Sequence, residues 1–186
     1  MPKIAEIEYT PNPNAVKFVL RQPVALGFPK SFPDATIAEA DPLAKALFAV
    51  GHVTSVFMQD KFLTITKDDD IVWVELLPLL APSIRAAEGL GGDPLAGVSR
   101  PERPSIQCDP NDEFLERVRK VLTIQILPAL AADGGGLDIV GRHEKQVMIR
   151  YLGACTTCPS GLTGTLMAIE GVLKAEVDPE IVVITV

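Results

Sequence analysis

Val147-Met-Ile-Arg-Tyr-Leu-Gly-Ala-Cys-Thr-Thr-Cys-Pro-Ser160 runs from a β-forming stretch, through a short loop holding two cysteines, into a proline suited to the first turn of a helix. Val147 to Tyr151 reads as a strand, and Pro159 opens a helix that continues to about Leu173. Upstream, Leu137 to Val140 is a second strand, joined to the first by the polar turn Arg142-His-Glu-Lys145. Before it, Asp109-Pro110 supplies an N-cap and a first helical residue, and Phe114, Val118, Val121 and Leu122 fall on one helix face. Pro128 must reset that helix because it cannot donate to the carbonyl of Ile124. Asp133-Gly-Gly-Gly136 ends it. Downstream, Ile181 to Val186 is a final strand. The order α-β-β-α-β over residues 112–186 predicts a three-stranded sheet with two helices on one face.

Residues 89–111 have a different composition. Four glycines and three prolines lie between Gly89 and Pro104, without helical or alternating apolar pattern. That stretch reads as a linker, and it leaves residues 1–88 as a second small domain. There, Ile4–Tyr9 and Val16–Leu20 flank Thr10-Pro-Asn-Pro-Asn14 as a hairpin or meander. Asp41-Pro42 starts a helix carrying Leu43, Ala44, Leu47 and Phe48. Val53–Met58 and Phe62–Thr66 form another hairpin, and a helix over about Val72 to Ala87 closes the domain. The fold class is α+β, in two small domains.

The chain has 186 residues, 47% hydrophobic and 22% charged, which excludes a disordered chain, a coiled coil and a disulfide scaffold. Its most apolar stretch, Ile71 to Ile84, contains Glu75 and two prolines and is too short to span a bilayer, so no membrane partner is expected. Residues 1–88 carry 8 basic and 11 acidic side chains, and residues 112–186 carry 7 and 10. Without a basic cluster, nucleic acid is not an expected partner. Met1-Pro-Lys-Ile-Ala-Glu6 lacks the features of a signal or transit peptide, so a cytoplasmic protein is the expectation.

The chemistry lies in the cysteines. Cys155 and Cys158 form a C-x-x-C whose two intervening residues let both sulfurs converge on one centre. The N-terminus of the following helix favours thiolate over thiol, and Gly153 lets backbone approach an anion closely. A thiolate-ligated metal centre is such an anion. Structural zinc and iron–sulfur clusters normally take four protein ligands, and this loop offers two. Two chains related by a twofold axis would supply four, so the pair reads as half of a site in a homodimer.

Other candidates read as structural. Cys108 sits in the linker as an ordinary exposed thiol. His52 ends a helix, His143 marks a hairpin tip, and Asp68-Asp-Asp70 is an acidic turn without an EF-hand pattern. Thr156 and Thr157 have no base beside them. Gly161 and Gly164, inside the last helix, cost about 1 kcal/mol each relative to Ala, offset by close packing on the sheet or on a partner chain.

Residues 113–180 resemble the C-terminal domain of the NifU/Nfu iron–sulfur cluster scaffolds through Ile126-Leu-Pro-Ala-Leu-Ala-Ala-Asp-Gly-Gly135, Tyr151-Leu-Gly-Ala-Cys-Thr-Thr-Cys-Pro-Ser160 and Met167-Ala-Ile-Glu-Gly171. Residues 4–87 resemble the Nfu N-terminal domain through Thr10-Pro-Asn-Pro-Asn-Ala-Val-Lys-Phe18, Leu43-Ala-Lys-Ala-Leu-Phe48 and Val53-Thr-Ser-Val-Phe57. The resemblance implies that Cys155 and Cys158 ligate a [4Fe–4S] cluster shared between two protomers. It further implies that upstream assembly factors supply the cluster, that apo iron–sulfur client proteins receive it, and that the N-terminal domain serves recognition without ligands of its own. Such a scaffold is not an enzyme. Two departures stand out: Ser160-Gly161 where the family usually has Ser-Ser, and Gly164-Thr-Leu166 where it often has Thr-Leu-Lys. Neither touches a ligand. Spacing alone does not separate [4Fe–4S] from [2Fe–2S], and it leaves open a zinc-bridged dimer, a thiol–disulfide oxidoreductase and an adaptor whose cysteines merely pack.

Overall fold

A computed structural model describes residues 4–87, 112–158 and 161–186, which fall in two compact units, each taken here by itself. The Gly/Pro-rich segment 89–111, with Cys108, Asp109 and Pro110, lies outside the described residues, as do Pro159 and Ser160.

In the N-terminal unit, strands β1 (Ile4–Tyr9) and β2 (Ala15–Leu20) pair antiparallel around the Thr10–Asn14 turn. The turn is held by its own side chains. The Thr10 hydroxyl donates to the carbonyls of Asn12 and Ala15 at 3.0 and 2.9 Å, and the Asn14 N–H donates to Asn12 Oδ1 at 3.0 Å. Strands β3 (Ala25–Phe32), β4 (Val53–Asp60) and β5 (Phe62–Lys67) complete an antiparallel sheet in the order β1-β2-β5-β4-β3. Alternate residues Val16, Phe18 and Leu20 on β2, and Leu63 and Ile65 on β5, join one core. Helices α1 (Ala35–Ala38), α2 (Pro42–Phe48) and α3 (Trp73–Ala86) contribute Ala38, Leu47, Leu76, Leu80 and Ile84 to that core, the last three at a four-residue spacing. Asp41 caps α2 as its sequence predicts, accepting from the N–H groups of Leu43 and Ala44.

Strand β3 and helix α1 are additions to the sequence reading. The β3–β4 register jumps between Ala25 and Lys30, and Gly27 takes φ +79°, so the alternation that marks a strand is broken within it.

In the C-terminal unit, α4 (Glu113–Val121) passes through one π-helical turn, Leu122–Ile126, into α5 (Leu127–Ala132). The Leu127 N–H reaches back to the carbonyl of Leu122, which is how the chain absorbs Pro128. Strands β6 (Gly135–His143), β7 (Gln146–Gly153) and β8 (Val182–Thr185) form a sheet in that order, β6–β7 antiparallel and β7–β8 parallel, with α6 (Gly161–Glu176) as the crossover. Val147, Ile149 and Tyr151 alternate along β7 into a core shared with Val118 and Leu122, Leu130 of α5, and Ile169 and Leu173 of α6. One sheet face therefore receives the helices, as the element order implies.

The cap of α4 is Asp112 rather than Asp109. Its carboxylate accepts from the N–H groups of Phe114 and Leu115 at 3.0 and 3.2 Å and pairs with Arg142 at 2.5 Å, tying the helix start to the β6–β7 hairpin. The Arg142 hydrogen bond holds the Asp112 carboxyl below its ordinary pKa. Lys174 does the same for Glu170, and the Glu180 N–H, with Lys145, for Asp178. A carboxyl depressed by folding stabilises above its unfolded pKa and loses that contribution as pH falls through the folded value. Amide protection along α4 is therefore expected to hold down to about pH 4 and to fall below it. Asp112→Asn keeps a competent cap but removes the charge, so its protection factors should fall less steeply over the same range. An identical pH profile in the variant would show that the pair contributes nothing.

Candidate functional site

The two cysteines occupy the end of the β6–β7 hairpin, where three glycines shape the backbone. Gly134, just past α5, takes φ +76°, and Gly153, at the end of β7, takes φ +63° and ψ −139°, a region that side chains with a Cβ avoid. Gly135 and Gly153 are direct partners across the hairpin, and the Ala154 N–H donates to the Gly134 carbonyl at 3.2 Å. A single 3-10 turn, Ala154–Thr156, then carries Cys155 over Gly135. The fit there is close. A Cβ added at Gly135 would overlap the Cys155 sulfur and lie 2.9 Å from the Leu152 carbonyl oxygen. The hydroxyl of Thr156 turns back to the carbonyl of Tyr151 at 3.5 Å, a structural role for that threonine.

Both residues are thiols with no disulfide between them; Cys155 is half-buried and Cys158 is 5% exposed. The electrostatics of Cys155 differ from the sequence expectation. Burial raises its pKa to about 11, helped by the nearby negative charge of Asp133 and by Cys158, while the backbone N–H of Gly136 acts in the opposite direction. The sulfur's backbone donor thus comes from the start of β6, across the hairpin. Without metal, Cys155 is a protonated and poorly nucleophilic thiol at neutral pH, the opposite of the activated cysteine a disulfide oxidoreductase requires.

The remaining candidates fall elsewhere. The His52 ring Nδ1 lies 3.0 Å from Asp68 Oδ2, Asp68 also accepts from the Asp70 N–H, and Asp69 accepts from Asn14 at 2.6 Å, so the acidic turn is occupied with local bonding. His143 ends β6. Among the described residues, no group of three or more His, Cys, Asp or Glu side chains is placed to hold a metal ion. No described helix is long and apolar enough to cross a membrane. Gly164 and Gly171 have open space where a Cβ would point, so packing on the sheet does not account for them. In the sequence, Gly135 and Gly136 mark only a helix end, and Tyr151 only a strand. The signal for the first was in view: a glycine run longer than the single residue a helix end needs.

Two outcomes are expected from this geometry. The alkylation rate of Cys155 in the metal-free protein, followed by mass spectrometry, should keep climbing until about pH 11 instead of levelling near the ordinary thiol range; a plateau near pH 8.5 would contradict the burial argument. Gly135→Ala should lower the denaturation midpoint by an amount corresponding to about 1–3 kcal/mol, because the cysteine turn must shift to admit the methyl. An unchanged midpoint would show that the close approach costs nothing to relieve.

Residues 4–87 match the family described as scaffold protein Nfu/NifU N terminal, and residues 118–184 match the NifU-like domain. The human protein named "NFU1 iron-sulfur cluster scaffold homolog, mitochondrial" is 32% identical over 168 residues, covering 89% of this chain and 65% of its own length. The like-named protein of Drosophila persimilis is 30% identical over 168 residues, covering 89% of this chain and 58% of its own length. "NifU-like protein 5, mitochondrial" of Arabidopsis thaliana is 31% identical over 173 residues, covering 90% and 62%. The chain thus spans about three fifths of the length of these relatives. Their names correct the expectation of a cytoplasmic protein: they are mitochondrial, and the composition of residues 1–6, on which that expectation rested, does not decide the compartment. The chain thus carries an Nfu/NifU N-terminal domain followed by a NifU-like domain.

Proposed function

We propose that this protein is a non-enzymatic carrier that holds a [4Fe–4S] cluster between two protomers, through Cys155 and Cys158 of each, and passes it to apo-proteins. The observation that carries the reading is the cysteine turn itself: two thiols side by side, the first with a backbone N–H acting on its sulfur and with Gly135 beneath it. Such a turn suits an anionic, sulfur-rich cargo, because N–H donors to sulfur are the usual protein contribution to cluster binding. Two thiols are half of a four-ligand set, and a second copy supplies the other half. Relatives named as iron–sulfur cluster scaffolds support the same role.

The division of labour follows from this reading. Residues 112–186 bind the cluster, residues 89–111 link, and residues 1–88 recognise clients or the factor that supplies the cluster. The compartment that the relatives' names suggest is the mitochondrion. Loading requires the Cys155 thiol, protonated in the metal-free protein, to give up its proton, so cluster binding is coupled to proton release.

Anaerobic iron and sulfide reconstitution, followed by light scattering and metal counting on one chromatographic peak, tests the proposal. About four irons and four sulfides per dimer, with broad absorption at the blue edge of the visible, are expected. Cys155→Ser and Cys158→Ser should each abolish uptake and leave a monomer, whereas Cys108→Ser should change neither. Zinc without sulfide would install a zinc-bridged dimer instead. A colourless monomer that reduces insulin disulfides would establish thiol redox chemistry.

A further inference from the structure

Tyr151 stands four residues before Cys155, on the core-facing side of β7 with Val147 and Ile149. It is 7% exposed, and its hydroxyl oxygen is fully buried without a hydrogen-bond partner. An unsatisfied buried hydroxyl is destabilising, and phenylalanine would fill the same apolar space without that cost. The position of the hydroxyl suggests its use. Cys155 packs against the same apolar cluster that contains the Tyr151 ring, and the cysteine turn is fastened to the Tyr151 carbonyl through Thr156. A phenol keeps its proton throughout the physiological range. A buried, unpaired O–H in the cluster against which Cys155 packs is a donor available to an anionic acceptor.

We propose that Tyr151 is a positioning residue for the cluster, its hydroxyl donating a hydrogen bond to sulfur of the loaded site, either the Cys155 thiolate or a bridging sulfide. The inference rests on the carrier reading above. No proton is transferred and no bond is broken; the phenol exchanges an unpaired state in the metal-free protein for a paired one in the loaded dimer. Tyr151 thereby favours the loaded state twice, by destabilising the empty site and by stabilising the filled one.

The full-length Tyr151→Phe variant separates this from a packing role, because the two states should respond with opposite signs. In the metal-free protein the variant should be at least as resistant to denaturant as the parent. In the reconstituted dimer it should lose its cluster to a chelator roughly tenfold faster, since a hydrogen bond to a charged acceptor is worth about that factor or more. Its reduction potential should also move to a more negative value, because one donor to sulfur is gone. Resonance Raman bands of the parent's iron–sulfur modes should shift in D2O, with part of that shift absent from the variant. Equal rates of cluster loss with unchanged potential and isotope shift would overturn the proposal, as would a metal-free variant markedly less stable than its parent. If the parent chain takes up no cluster, the carrier reading itself falls; if the parent loads and the variant behaves identically, only the role of Tyr151 falls.

Discussion

The C-terminal unit is organised around the missing Cβ at Gly135. The Cys155 sulfur occupies the space a side chain there would take, with the Leu152 carbonyl just beyond it. That approach requires β6 to begin at once after α5, which Gly134 permits by turning the chain at φ +76°. It also requires β7 to end at once, which Gly153 permits at φ +63°. A Gly–Gly pair across an antiparallel hairpin contributes no side-chain packing and gives up backbone entropy on folding. The hairpin gains instead from its other end, where Asp112, Arg142 and Phe114 join it to α4 and the Arg142 guanidinium lies 5.0 Å from the Phe114 ring centre. Stability is thus concentrated away from the loop that carries the thiols.

That separation bears on how a carrier can work. A permanent metal centre is best served by ligands ionised and oriented before the metal arrives, so that binding costs no rearrangement. Here the turn is in a different condition: Cys158 is covered and Cys155 is protonated. The empty site is a comfortable resting place for the thiols, and loading has to displace it. On the reading proposed here, this lowers net affinity without removing any ligand, and a moderate affinity lets cargo move on. An activated thiolate pair would bind more tightly and also react with passing oxidants.

What was legible in the sequence follows from the range of the interactions. Asp41-Pro42 is a local signal, and its helix starts where expected because the cap reaches only two and three residues ahead. The cysteine turn is likewise local, a strand end and a helix start within about ten residues. Asp109-Pro110 looked like an equally good helix start, but α4 begins at Glu113. Asp112 caps it, and the same carboxylate pairs with Arg142 thirty residues away, which no local pattern could show. Strand β3 was missed because its bulge hides the period of two. Pro128 was read correctly as a disturbance, yet the form of the remedy, a single π turn, depends on how α4 and α5 both reach one core. Helix-end charge can be read from a sequence, but the burial that raises the Cys155 pKa is a property of the fold.

The N-terminal unit poses the converse problem, since the motif that carries its family resemblance is already explained by its own bonding. In Thr10-Pro-Asn-Pro-Asn14, the Thr10 hydroxyl closes the turn, the Pro13 carbonyl accepts from the Trp73 indole at 2.9 Å, and Asn14 Oδ1 accepts from Lys67 at 3.2 Å. Lys67, itself buried to 8% exposure, also lies 5.7 Å from the Trp73 ring centre. These bonds join the β1–β2 turn, the end of β5 and the first residue of α3. The turn is thus part of the fold itself, its carbonyl and amide oxygens accepting from the Trp73 indole and the Lys67 ammonium, which also donates to the Asp68 carbonyl. Tyr9 and Phe28, on the two edge strands, remain 74% and 83% exposed despite their apolar rings, so the core of this unit does not use them. Substitutions in the turn test the fold of this unit, whereas substitutions at those two rings leave its core intact.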